Sequence, residues 1–168
     1  MKSFSVVAGA AALAFTFVPA FADAPAADKT FANKAAAGGL AEVQLGQLAA
    51  QNAASANVKA FGQRMVTDHS KANDELMAIA KKQNLVLPTA PDAATREMMT
   101  SLQGQKGGAF DQAYVQHMVA DHRKDVEDFQ HEARQGKDPA LKNFAQKYLP
   151  VLKQHLSLAE SLQQNQPK

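Results

Sequence analysis

The chain has 168 residues, with 18 lysines and arginines against 16 aspartates and glutamates, a net charge of +2, and neither cysteine nor tryptophan. That length suits one domain with a core large enough to need no covalent staples. The missing thiols exclude disulfides, thiolate metal sites, c-type haem and a lipid anchor on cysteine, and the balanced, interspersed charge gives no electrostatic case for nucleic acid.

The N-terminus reads as an export signal. Lys2 supplies a weak positive start, residues 6–18 form an apolar run, Pro19 breaks it, and Ala20-Phe21-Ala22 is an A-x-A cleavage sequence. The run is short for a membrane span. The expectation is a signal peptide over residues 1–22, cleavage after Ala22, no transmembrane anchor thereafter and a periplasmic location. Residues 23–29 read as a flexible lead.

The remainder predicts an all-α fold, because alanine is abundant, β-branched residues are few and no stretch alternates with period two. The first helix is expected from Asp28 or Thr30, both good N-cap types. Its stripe is Phe31, Ala35, Gly38, Glu42, Leu45, Ala49 and Asn52. After a turn over residues 52–57 a second helix carries Val58, Phe61, Met65, His69, Ala72, Leu76 and Ile79. Asn84 is its expected stop. Residues 84–107 form a long connection holding a short helix over about 91–103. A third long helix over about 109–136 carries Phe110, Tyr114, Met118, His122, Val126 and Phe129. Asp138-Pro139 then reads as N-cap and first residue of a fourth. Its stripe is Leu141, Phe144, Tyr148, Val151, His155, Leu158 and Leu162, and Pro150 should bend it. The domain is placed at residues 30–163, with a frayed polar tail over 164–168. Two helical hairpins joined by a long crossover make a ferritin-like four-helix bundle the expected architecture.

Each stripe carries one polar residue where an apolar one is expected: Glu42, His69, His122 and His155. Counted from the hairpin turns at roughly 1.5 Å per residue, all four fall near mid-height. Buried polar groups are costly unless paired, so four at one level should satisfy one another or share an ion. Three imidazoles and a carboxylate suit Zn²⁺, Fe²⁺, Mn²⁺ or Cu²⁺, since imidazole is a poor ligand for Mg²⁺ and Ca²⁺. The plainer reading is a structural, non-catalytic bundle whose buried polar network holds no metal.

Two of those histidines lie in a repeat. Residues 61–76 and 114–129 align at an offset of 53, sharing Gln63/Gln116, Met65/Met118, Val66/Val119, Asp68/Asp121, His69/His122 and Lys71/Lys124. Met65 and Met118 precede the histidines by four residues on the same face, as core residues or soft ligands. Asp68 and Asp121 lie about 100° around from them, in charged rows that include Arg64 and Asp125. They read as a solvated face or as hydrogen-bond partners that hold a histidine of the neighbouring helix. His117 and His131 fall off the stripe and are expected to be exposed. Asp111 is too far from His122 to act beside it. A b-type haem between histidine and methionine is a third possibility, with modest room beside the small residues of the first helix.

No nucleophile elbow, phosphate-binding glycine loop or H-E-x-x-H pair is present, so nothing points to turnover. Nor does the sequence carry a signal for oligomeric state.

The segment Ala-x-x-Gly-Gly-Leu-x-Glu-Val with Glu42, the Val58-Lys59-x-Phe61 lead into Met-Val-x-Asp68-His69, Phe110-Asp111-x-x-Tyr114 with His122, and Leu149-Pro150 leading to His155-Leu156 resemble the exported bacterial proteins called "domain of unknown function 4142". The resemblance spans about residues 28–163. It implies a ferritin-like bundle and no defined activity. The chain departs from the ferritin di-iron pattern: Val66 and Leu152 stand three residues before His69 and His155, where that pattern has glutamate. A mononuclear His-rich site is therefore the better expectation.

Overall fold

The computed structural model describes residues 24–166. The expected signal peptide and its cleavage site lie outside them. Five helices follow in order: α1 Ala26–Asn52, α2 Ala56–Gln83, α3 Ala93–Gln103, α4 Gly107–Gln135 and α5 Pro139–Gln164. Among the described residues there is no strand beyond a single bridge between Ala53 and Gly107, and no helix is long and apolar enough to cross a membrane.

The four long helices pair as two hairpins. α1 packs along α2, and a Cβ placed on Gly46 would sit 2.4 Å from the Gly62 carbonyl oxygen, so only glycine permits this approach. α4 packs along α5, where Gln146 donates to the Ala133 carbonyl and Arg123 pairs with Glu160. The hairpins meet through α1 on α4 and α2 on α5, and α3 lies against α1 and α4.

Two buried aspartates tie one hairpin to the other. The Asp28 carboxylate accepts the backbone N–H groups of Lys137 (2.8 Å) and Asp138, in the α4–α5 turn. The Asp111 carboxylate accepts those of Ala54 (3.1 Å) and Ser55 (2.8 Å), in the α1–α2 turn. Each turn exposes backbone donors that the short connection cannot satisfy itself, and each is met by an acid near the start of a helix in the opposite hairpin. The start of α1 therefore meets the end of α4, and the start of α4 meets the end of α1. These two helices are antiparallel, so α2 and α4 run parallel to each other.

Several expectations change here. In the described part of the lead Ala24 is buried, α1 already begins at Ala26, and Asp28 is a clamp within the first turn, not an N-cap. The α1 stripe shifts in its middle, with Ala36 and Gly39 buried and Ala35 and Gly38 only partly so. Along α5 beyond Pro150 the buried positions are Leu152, His155 and Ala159 instead of Val151 and Leu158. Beyond α5, Gln166 donates to the Asp111 carbonyl. Other local signals hold. Asn84 closes α2 in the left-handed conformation at φ 54°, and Asp138 accepts from the amides of Ala140 and Leu141. Asp92, not singled out in the sequence, caps α3.

The apolar core divides into two clusters. One gathers Leu45, Phe61, Met65, Phe110, Tyr114 and Met118 toward the α1–α2 turn. The other gathers Phe31, Leu76, Phe129, Leu141, Phe144 and Tyr148 toward the α4–α5 turn. Between them lies a polar layer. Replacing Asp28 or Asp111 with alanine leaves two backbone donors unmet and should cost about 1–3 kcal/mol each in urea unfolding. The two clamps sit at opposite ends, so the double variant should equal the sum within about 0.5 kcal/mol. A variant as stable as the parent would contradict the clamp.

Candidate metal centre

The polar layer is made by Glu42, His69, His122 and His155, one from each long helix. Glu42, His122 and His155 are fully buried and His69 is 7% exposed. The stripes dictate this convergence, since each residue occupies a core-facing position of its helix. The ring centroids of the histidines lie 5.4–5.8 Å apart. One nitrogen from each falls within 4.8 Å of the other two, a grouping that could hold an ion.

The repeat explains part of the geometry. Phe61 faces Tyr114 at 6.3 Å, and His69 faces His122 at 5.8 Å. Both pairs are 53 residues apart, the offset that aligns the two sequence copies. The copies therefore stand side by side on the parallel helices α2 and α4, at equal height across the core. Their aspartates reach outward to the next helix. Asp68 Oδ2 lies 2.8 Å from His155 Nε2, and Asp121 lies against Glu42. Glu42 and His155 thus occupy matching places on α1 and α5.

Hydrogen bonds set the tautomers of two rings. His122 Nδ1 lies 3.0 Å from the Met118 carbonyl, which only accepts, so Nδ1 carries the proton and Nε2 has a free lone pair. Asp68 does the same for His155, whose Nε2 donates and whose Nδ1 is left free. His69 Nε2, His122 Nε2 and His155 Nδ1 are all buried without a hydrogen-bond partner. Burial, then the neighbouring imidazoles, holds His69 well below its ordinary range, and the same causes lower His122 to about 4. Burial also lowers His155, with Asp68 opposing. The centre is a cluster of neutral imidazoles, which is the ligating form.

The carboxylates differ from one another. Burial raises Asp68, but its bonds to His155 and Arg64 outweigh that and keep it below the usual range. It is the ionised partner of His155, anchored by Arg64 Nε at 3.2 Å. Glu42 Oε1 is 3.7 Å from His122 Nδ1, at the ring edge already bonded to Met118. Neither Glu42 oxygen meets a donor. Burial first, and Asp121 next, raise its carboxyl well above the usual value. Asp125, which the sequence placed in a solvated row, is half-buried and lines a small cavity beside His69 and His155. Burial next to Asp121 and Asp128 pushes it up to about 8. Its signal was the spacing from His122: three residues on, one turn along the same side of α4.

The methionines belong to the apolar cluster above the layer, and Met118 touches the centre through its backbone carbonyl. His131 is exposed as expected. His117 is not: it is half-buried, its Nε2 has no partner, and burial lowers its pKa.

In metal-free protein, histidine-selective NMR should show His122 protonated at Nδ1 and still neutral well below pH 6.5, taking up its second proton only near pH 4. The sign for stability follows. The unfolded chain binds that proton at about 6.5 and the folded chain does not, so the contribution is complete above pH 6.5 and is lost as pH falls toward 4. Titration near 6.5 would contradict the buried neutral ring.

Neither the curated proteins nor the solved structures contain a match to this chain. One family model does match, described as "Domain of unknown function (DUF4142)", over residues 16–162. That span takes in all four residues of the polar layer and both copies of the repeat, and the chain belongs to this family.

Proposed function

We propose that the protein is an exported, ferritin-like bundle that binds one transition-metal ion through His69, His122 and His155. Glu42 stands behind His122, and Asp68 orients His155. Two observations carry this: one nitrogen from each of the three buried imidazoles falls within 4.8 Å of the other two, and each ring has a buried nitrogen without a hydrogen-bond partner. Buried polar atoms without partners are costly, and a shared cation would satisfy them. Asp68–His155 and Met118–His122 are contacts of the kind that fix ligand tautomers in metal sites. An all-imidazole set suits Zn²⁺, Fe²⁺, Mn²⁺ or Cu²⁺.

The ferritin-like assignment is supported by the order of directions, with α2 and α4 parallel and joined by a long crossover. Export and a periplasmic location rest on the sequence of residues 1–22. The chain Arg64–Asp68–His155, continued by Arg64 Nη2 to Gln154 at 2.9 Å, favours a second reading. In that reading the layer is a structural network that only fixes helix register, with no metal.

Calorimetric titration with Zn²⁺ or Co²⁺ separates the two. One equivalent should bind, and at a hundred times Kd it should add about 2.7 kcal/mol to unfolding. His122→Ala should abolish stoichiometric binding, and Asp68→Asn should weaken it by about 10–100-fold. Folded wild-type protein that binds no ion, together with a leucine-filled layer that keeps or gains stability, would leave the structural reading standing.

A further inference from the structure

The metal reading leaves the centre one donor short. A tetrahedral ion takes four ligands, and among the described residues the close group consists of the three histidines. Glu42 lies at the Nδ1 edge of His122, away from that ring's free nitrogen. A cavity of about 20 Å³ adjoins the layer on the side of the lower aromatic cluster. His69 and His155 form its wall together with Ala72, Asp125, Phe129 and Phe144. A cavity needs about 10–15 Å³ to admit one water, so this one admits a water or a diatomic molecule and little more. Two acids line it: Asp68, already bonded to His155 and Arg64, and Asp125, with Asn73 beside them.

We infer, on the basis of that metal reading, that an ion held by the three histidines keeps one exchangeable position facing this cavity. The position takes a ligand of one or two non-hydrogen atoms, water in the resting protein. Asp125 and Asn73 are polar side chains of its wall, Ala72, Phe129 and Phe144 are apolar ones, and the cavity's volume sets the size limit.

The test is anaerobic loading of the purified protein with Fe²⁺, followed by titration with nitric oxide, a neutral diatomic probe. An iron nitrosyl at an open position gives a half-integer-spin electron paramagnetic resonance signal in proportion to bound iron. Ala72→Leu adds bulk to the cavity wall and replaces no ligand. It should retain one iron per chain and weaken nitric oxide binding by about tenfold or more, the equivalent of about 1.4 kcal/mol. Ala35→Leu, from another part of the same wall, should do the same and serves if the first variant folds poorly. Iron-loaded wild-type protein that gives no nitrosyl signal would overturn the open position while leaving the metal reading intact. Unaltered nitric oxide binding in both leucine variants would overturn the role of the cavity. Failure of wild-type protein to bind iron, zinc or cobalt would overturn the metal reading itself and this inference with it.

Discussion

The structure turns on three buried imidazoles that meet, beside Glu42, in a polar layer between two apolar clusters. Each buried polar atom without a partner costs on the order of 1–3 kcal/mol, and here each ring carries one such nitrogen at the middle of the bundle. The cost is not an accident of one side chain. Met118 and Asp68 hold the proton of His122 and of His155 on the outer nitrogen, and so keep the inner nitrogen bare. The two apolar clusters above and below supply the burial that holds the four helices together around the layer. The aspartate clamps at the two ends fix the helices' relative height, and height decides whether the rings meet.

The same layer is built unevenly about a nearly symmetric plan. The repeated Met-Val-x-Asp-His places matching histidines opposite each other on parallel helices, and each copy sends its aspartate to the next helix. One aspartate finds His155 and the other finds Glu42. On the first side an ionised acid meets an imidazole and is backed by Arg64. On the second, two acids meet beside His122 Nδ1, which already bonds the Met118 carbonyl, and burial and Asp121 raise the Glu42 carboxyl well above its usual value. The two sides of the layer are therefore unlike.

Much of this was legible in the sequence because the helices are long and their stripes regular. The polar residue of each stripe stood out against apolar neighbours, and counting from the turns brought all four to one level. Asp28 was misread because its local context, just before a helical pattern, is that of an N-cap; its partners lie 109 and 110 residues away. Asp111 was judged only by its distance from His122, and nothing near it in the chain points to the α1–α2 turn. Asp125 and His117 lie at the edges of the α4 stripe. An edge position is solvated on a lone helix and covered in a bundle, and which one holds depends on neighbours that periodicity does not reveal. Glu42 shows the finer limit: its level follows from spacing, but the ring edge it faces follows from the His122 rotamer.

The most direct measurement is X-ray absorption at the metal edge of zinc-loaded protein. The account predicts a first shell of three imidazole nitrogens at about 2.0–2.1 Å with one further light atom, and the outer-shell scattering that imidazole rings produce. It also predicts loss of one ring's contribution in His69→Ala. A shell of carboxylate and water oxygens without imidazole scattering would contradict the three-histidine centre.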